Sequence, residues 1–144
     1  MPNQKIIIDP NNFNIVGSGF FNHLGFRLAE WNIDLAVVEL VIGPQHLNRA
    51  NVLHGGVLTA MIDTACGFAG CFCTIPGHQR KAVTLSLTTS FIGQASAGTI
   101  RAIGRKRASG RKIYVSNAEV VTATGELIAL GEGTFRYRAG SEGI

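Results

Sequence analysis

Apolar residues follow two distinct periods along this chain. Val83, Leu85 and Leu87 alternate with Thr84, Ser86 and Thr88, the two-residue period of a half-buried strand. Similar segments run from Gly98 to Lys106, Lys112 to Thr122 and Glu126 to Tyr137. They are separated by turn chemistry at Ala108-Ser109-Gly110 and Thr124-Gly125. Upstream, Phe26 to Ile42 is rich in Val, Ile and Leu. It predicts one or two strands, with a bend at Trp31-Asn32 and a stop at Gly43-Pro44. Between these regions, Val57 to about Phe72 is apolar on nearly every face, which predicts a helix enclosed by other structure. Asn11 to Leu24 forms a short helix or irregular lead-in, Gln45 to His54 a polar loop, and Thr74 to His78 a break. One long helix and about five strands, in the order strand, helix, meander, define an α+β domain. Its antiparallel sheet wraps around one central helix.

Composition narrows the class. A hydrophobic fraction of 46% against 15% charged residues excludes a disordered chain, and the low charge points to surface buried between subunits. The 144 residues suffice for one domain with a single core. A net charge of +4 favours an anionic partner, which leaves nucleic acid, a membrane surface and a phosphate-bearing small molecule open. Three cysteines, Cys66, Cys71 and Cys73, with no C-x-x-C and no histidine at zinc-finger spacing, argue for reduced thiols in a cytoplasmic protein. They argue against a disulfide framework or a structural metal. The N-terminal apolar run is cut short by Asp9 and Pro10, unlike a signal peptide. His54 and Asp63 interrupt the apolar run from Val52 to Ile75, so no membrane span is expected there.

Candidate chemistry concentrates at the start of the helix. In His54-Gly55-Gly56 the glycines let a ligand approach the main chain, and open N–H groups at a helix start suit an oxygen gaining negative charge. The plainer reading is a tight turn into the helix. Asp63 is a carboxylate on an apolar helix, costly to bury without a function or a partner. It is either a general base or nucleophile, or a structural acid held by a hydroxyl or an arginine. Gly55 and Asp63 stand eight residues apart, roughly 12 Å along a helix. Attack requires about 3 Å. Two antiparallel copies of the helix could serve one substrate, which predicts a homodimer with composite sites.

Asn48 and Asn51 flank the loop, as water-orienting amides or as turn residues. The alternation places Thr84, Ser86 and Thr88 on one strand face, either a solvated face or one where a hydroxyl could hold Asp63 or a leaving sulfur. Arg105-Lys106-Arg107 and Arg111-Lys112 bracket a hairpin turn, either as a solvated edge or as a phosphate-docking patch. No recognition-helix motif accompanies them, so nucleic acid is not the expected partner.

These motifs together resemble the hotdog-fold acyl-CoA thioesterases of the phenylacetate-degradation (PaaI-like) type. The resemblance runs from about Phe21 to Tyr137 within a single domain spanning residues 1–144. It rests on Asn48-x-x-x-x-x-His54-Gly55-Gly56, Asp63-x-Ala65, Val83-Thr84-Leu85, Gly125-Glu-Leu-Ile-Ala129 and Gly133-Thr-Phe135. It implies a homodimer with one continuous sheet, often paired into a tetramer. Asp63 would be the catalytic carboxylate and Gly55 the oxyanion donor. Asn48 and His54 would shape the site, and Thr84 would be the strand hydroxyl. Gly56, Ser86, Arg105, Arg107 and Arg111 are the expected substrate-binding residues. No metal or cofactor is implied, coenzyme A entering only as part of the substrate. Three departures stand out: Asn51 replaces the usual loop glycine, Ser86 a common acid, and Gln94 a common proline. The expected activity is hydrolysis of an acyl-CoA thioester. The alternatives are a hotdog hydratase or dehydratase, or a non-catalytic acyl-CoA binder, which would have no need of a buried acid.

Overall fold

The computed structural model describes residues 19–75 and 78–141. The expected lead-in before Gly19 lies outside the described residues. A short helix, α1 (Gly19–Leu24), precedes strands β1 (Arg27–Asn32) and β2 (Leu35–Val41). The long helix α2 (Gly55–Ala69) follows, then β3 (Ala82–Phe91), β4 (Thr99–Ser109), β5 (Ile113–Thr122) and β6 (Leu127–Tyr137). The six strands form one antiparallel sheet in the order β1-β2-β4-β5-β6-β3.

The alternation seen in the sequence becomes the two faces of this sheet. Along β4 and β5, Ile100, Ala102, Gly104, Tyr114, Ser116, Ala118 and Val120 are buried, and every strand of the sheet contacts α2. Val57, Leu58, Met61, Ile62, Ala65, Cys66 and Ala69 are the buried residues of α2. The helix lies directly on the sheet backbone. A Cβ on Gly104 would come within 2.4 Å of the Ala65 carbonyl oxygen, and one on Gly131 within 2.9 Å of the Ile62 side chain.

Several expectations need correction. There are six strands rather than about five. The bend between β1 and β2 falls at Ile33-Asp34, where Asp34 has φ 60°, and not at Trp31-Asn32. β4 continues through Ala108 and Ser109 past an irregularity after Lys106, so the hairpin turn is Gly110 to Lys112. Only β4, β5 and β6 form a meander, because β3 pairs with β6 at the sheet edge.

The helix also differs from its predicted limits. It starts two residues early, because His54 caps it, and stops at Ala69 rather than near Phe72. Its last carbonyls are claimed by aromatic side chains. Tyr114 Oη donates to Gly67 O at 2.7 Å, Trp31 Nε1 to Phe68 O at 2.7 Å and Tyr137 Oη to Gly70 O at 2.6 Å. These bonds satisfy acceptors that a helix end leaves open. Nor is α2 enclosed all round: Thr59, Ala60, Asp63, Thr64, Gly67 and Phe68 are only half-buried in the single chain. No helix among the described residues is long and apolar enough to cross a membrane.

Candidate active site

The start of α2 carries one open donor. His54 has extended backbone, and its Nδ1 accepts the Gly56 N–H at 2.8 Å, so an imidazole performs the capping usually left to Ser, Thr, Asp or Asn. That bond requires a bare Nδ1. The Val57 N–H donates to His54 O at 3.0 Å. Gly55 N–H is left without an acceptor among the described residues. It lies at the positive end of the helix dipole, where an oxyanion is favoured. A Cβ on Gly55 would sit 3.2 Å from the Phe91 ring, a tight contact with a half-exposed side chain.

Asp63 lies two turns along the helix and is half-buried. Thr84 Oγ1 donates to its Oδ1 at 2.7 Å, which fixes the carboxylate and leaves Oδ2 without a described hydrogen bond. A register shift between Thr84 and Ser86 makes this possible. Thr84 stands opposite buried Phe135, whereas Ser86 and Thr88 stand opposite Thr134 and Glu132. The expectation that Thr84, Ser86 and Thr88 share a face is therefore wrong. The irregularity at Leu85 turns Thr84 inward and leaves Ser86 on the face away from Asp63.

Cys66, three residues past Asp63, is fully buried. Burial, then the charges of Asp63 and Glu132, push its thiol up to about 12. It stays a protonated thiol at neutral pH and is no nucleophile. Burial likewise raises Cys71 and, beyond the range in which it titrates usefully, Tyr114. Among the described residues no cluster of three or more His, Cys, Asp or Glu side chains is arranged to hold a metal ion.

The remaining predicted residues take other positions. Asn48 Oδ1 accepts N–H bonds from Ala50 at 2.9 Å and Val52 at 3.3 Å, so its oxygen builds the loop. Asn51 has φ 60°, the left-handed geometry that the usual glycine would adopt. Gly56 N–H is spent on His54. Arg105, Arg107 and Arg111 lie towards the hairpin next to Tyr114, the end of the sheet where α2 terminates, far from Gly55. Arg107 Nε donates to Asn117 Oδ1 at 2.9 Å. Two residues escaped the sequence reading. Arg49 helps line an open depression of about 700 Å³ with Leu47, Asn48, Ala50 and His54. His46 is buried beneath the same loop. Neither carries a periodic or motif signal, since both stand in a polar loop.

An open N–H donor and a hydroxyl-held carboxylate are the kinds of group that acyl transfer to water uses. Residues 50–129 match the thioesterase superfamily, and the chain belongs to that family. Its fold is the hotdog fold and it is a thioesterase. Within the family it is PaaI-like. It is 31% identical over 111 residues to the acyl-coenzyme A thioesterase PaaI of Escherichia coli, covering 76% of each chain. The solved structure of the Escherichia coli PaaI protein superposes with a TM-score of 0.78 at 26% identity, covering 92% of this chain and 93% of that one. A conserved Pseudomonas aeruginosa protein, PA5202, superposes with a TM-score of 0.78 at 27% identity over 88% and 99% of the two chains.

Proposed function

We propose that this thioesterase hydrolyses acyl-CoA thioesters at two composite sites of a homodimer. The observation that carries the reading is the pair on α2: an unclaimed Gly55 N–H and an Asp63 carboxylate held by Thr84 at 2.7 Å. Gly55 N–H receives the thioester carbonyl oxygen as it gains charge. Asp63 Oδ2 removes a proton from the attacking water, or attacks the carbonyl carbon itself to give an anhydride that water then opens. In either route the C–S bond breaks and coenzyme A leaves as the thiol. His54, as helix cap, holds the donor end in place. Neither route calls on a metal or a cofactor.

Geometry supports the dimer. Gly55 and Asp63 of one chain are roughly 12 Å apart along α2, too far to meet one carbonyl group. β3 is an edge strand with Val83, Leu85 and Phe91 exposed, a surface that a second copy would pair with and cover. In the proposed pairing, antiparallel about a two-fold axis between Leu87 and Thr88, Thr84 would stand opposite the second copy's Phe91. Asp63 bonds to Thr84, and Gly55 packs against Phe91. That register would unite the carboxylate of one chain with the donor of the other. The E. coli relative's name gives acyl-CoA as its substrate class, and this chain's net charge of +4 suits a phosphate-bearing thiol. Arg49, beside the donor, and Arg105, Arg107 and Arg111 are the cations proposed to meet those phosphates. A second pairing of dimers through the half-buried face of α2, and residence in the cytoplasm, complete the proposal.

Thiol release from a panel of aryl and alkyl acyl-CoAs tests the reading. Wild type should release thiol, and Asp63→Asn should lose about 10²-fold or more in kcat with its oligomeric state intact. Tight acyl-CoA binding without release from any member would overturn it.

A further inference from the structure

His46 takes no direct part in this chemistry, yet it is 1% exposed and bonded on three sides. Its Nδ1 accepts the Gly43 N–H at 2.9 Å, and its Nε2 lies 2.7 Å from the Leu24 carbonyl oxygen. A carbonyl can only accept and an N–H can only donate. The ring is therefore the neutral tautomer with its proton on Nε2. The backbone carbonyl of the same residue accepts the His54 N–H at 2.8 Å.

Those bonds place His46 at the foot of the loop that leads to the donor. Its two legs are joined by the Leu47–Leu53 bridge and by the Asn48 N–H on Val52 O at 2.8 Å. The tip, Arg49 to Asn51, is exposed. The His46 ring is the tie from this loop foot to the end of α1, and it also closes the turn that follows β2. A continuous series of bonds thus runs from the Leu24 carbonyl through the ring and main chain of His46 to the His54 N–H, one peptide short of the Gly55 N–H.

We infer that His46 is a positioning residue for the oxyanion donor: its Nε2–H bond to Leu24 sets where the His54–Gly55 peptide points. The inference rests on the reading of Gly55 as that donor. A neutral imidazole fits the task because it donates and accepts at opposite ends of a rigid ring. Two amides divide its bonds between them. Asparagine carries its oxygen near the place of Nδ1 and keeps the Gly43 bond. Glutamine reaches the place of Nε2 and keeps the Leu24 bond.

The test compares full-length wild type, His46→Asn and His46→Gln in acyl-CoA hydrolysis and in backbone amide NMR. His46→Asn should lose about tenfold or more in kcat with KM within about threefold, as expected for a displaced catalytic donor. Its His54 and Gly55 amide peaks should move while those of β5 and β6 stay put. His46→Gln should recover most of kcat and return the peaks. Equal kcat and equal peaks in the two variants, or losses confined to KM, overturn the inference. Should wild type hydrolyse no acyl-CoA, the functional reading falls, and the amide peaks alone decide on positioning. Should either variant fail to fold, imidazole nitrogen spectra of wild type decide. A proton on Nδ1 overturns the inference, and a bare Nδ1 with a protonated Nε2 upholds it.

Discussion

At the residue scale, the site depends on which polar atoms are already spent. His54 uses its Nδ1 on Gly56, which makes Gly55 the donor that remains. Proline at Gly55 removes that atom, and its ring asks the half-exposed Phe91 side chain to shift slightly. The position is the first of the helix, where proline is accommodated, and His54 has the extended backbone (ψ 133°) that suits a residue before proline. Gly55→Pro should keep the helical circular dichroism of wild type and lose about 10²–10³-fold in kcat. Cys66 makes a different prediction. Its thiol is pushed from the ordinary 9.0 up to about 12, so the native state holds that proton more tightly than the unfolded chain. Its contribution is fully present below about pH 9 and is lost as pH rises towards 12. Denaturant melts from pH 8 to 11 should show falling stability, with a shallower fall in Cys66→Ala. Asp63, Gly55 and Thr84 were legible as candidates because a carboxylate, a paired glycine and a hydroxyl stand out against apolar surroundings. The spent state of Gly56 and of the Asn48 oxygen was not legible, since it depends on where loop atoms meet.

At the scale of elements, strands and helix were legible wherever burial follows the local period, as in β4 and β5. Two features were not. The Leu85 irregularity leaves the Thr-Leu-Ser-Leu-Thr alternation unbroken in sequence, so nothing local marks the switch of faces. The pairing of β3 with β6 is a choice of neighbour, on which a strand's own pattern is silent. The seat of α2 on β4 is a contact of backbone on backbone, and it predicts a steep cost for a single methyl group. Gly104→Ala would drive a Cβ to 2.4 Å from the Ala65 carbonyl oxygen, and neither side is a flexible chain end. Urea unfolding should show a loss of about 2–4 kcal/mol, far above an exposed glycine-to-alanine change such as one at Gly19, where no atom lies within 4 Å.

At the scale of the whole molecule, the proposed composite site makes activity a property of two chains. Mixing Asp63→Asn with Gly55→Pro chains, unfolded together and refolded, separates the arrangements. If the carboxylate and the donor come from different copies, each mixed dimer holds one site with both defects and one intact site. Activity should then return to about a quarter of wild type for random assortment. If both came from one chain, no mixture would recover any. The aromatic capping of α2 has a consequence at this scale as well. Tyr114, Trp31 and Tyr137 close the negative pole of the helix with neutral phenol and indole hydrogens, with no lysine or arginine among them. Arg80 lies over the Tyr137 ring, 5.8 Å from its centroid, so the far pole carries neutral hydrogen-bond donors with a positive charge beside them. The peptide dipoles carry no proton to lose, and burial raises both phenols, so the bonds that close this pole persist across the range in which enzymes work. The polarising end of the helix is in effect a permanent magnet rather than a switched one, and salt acts on the charges around it.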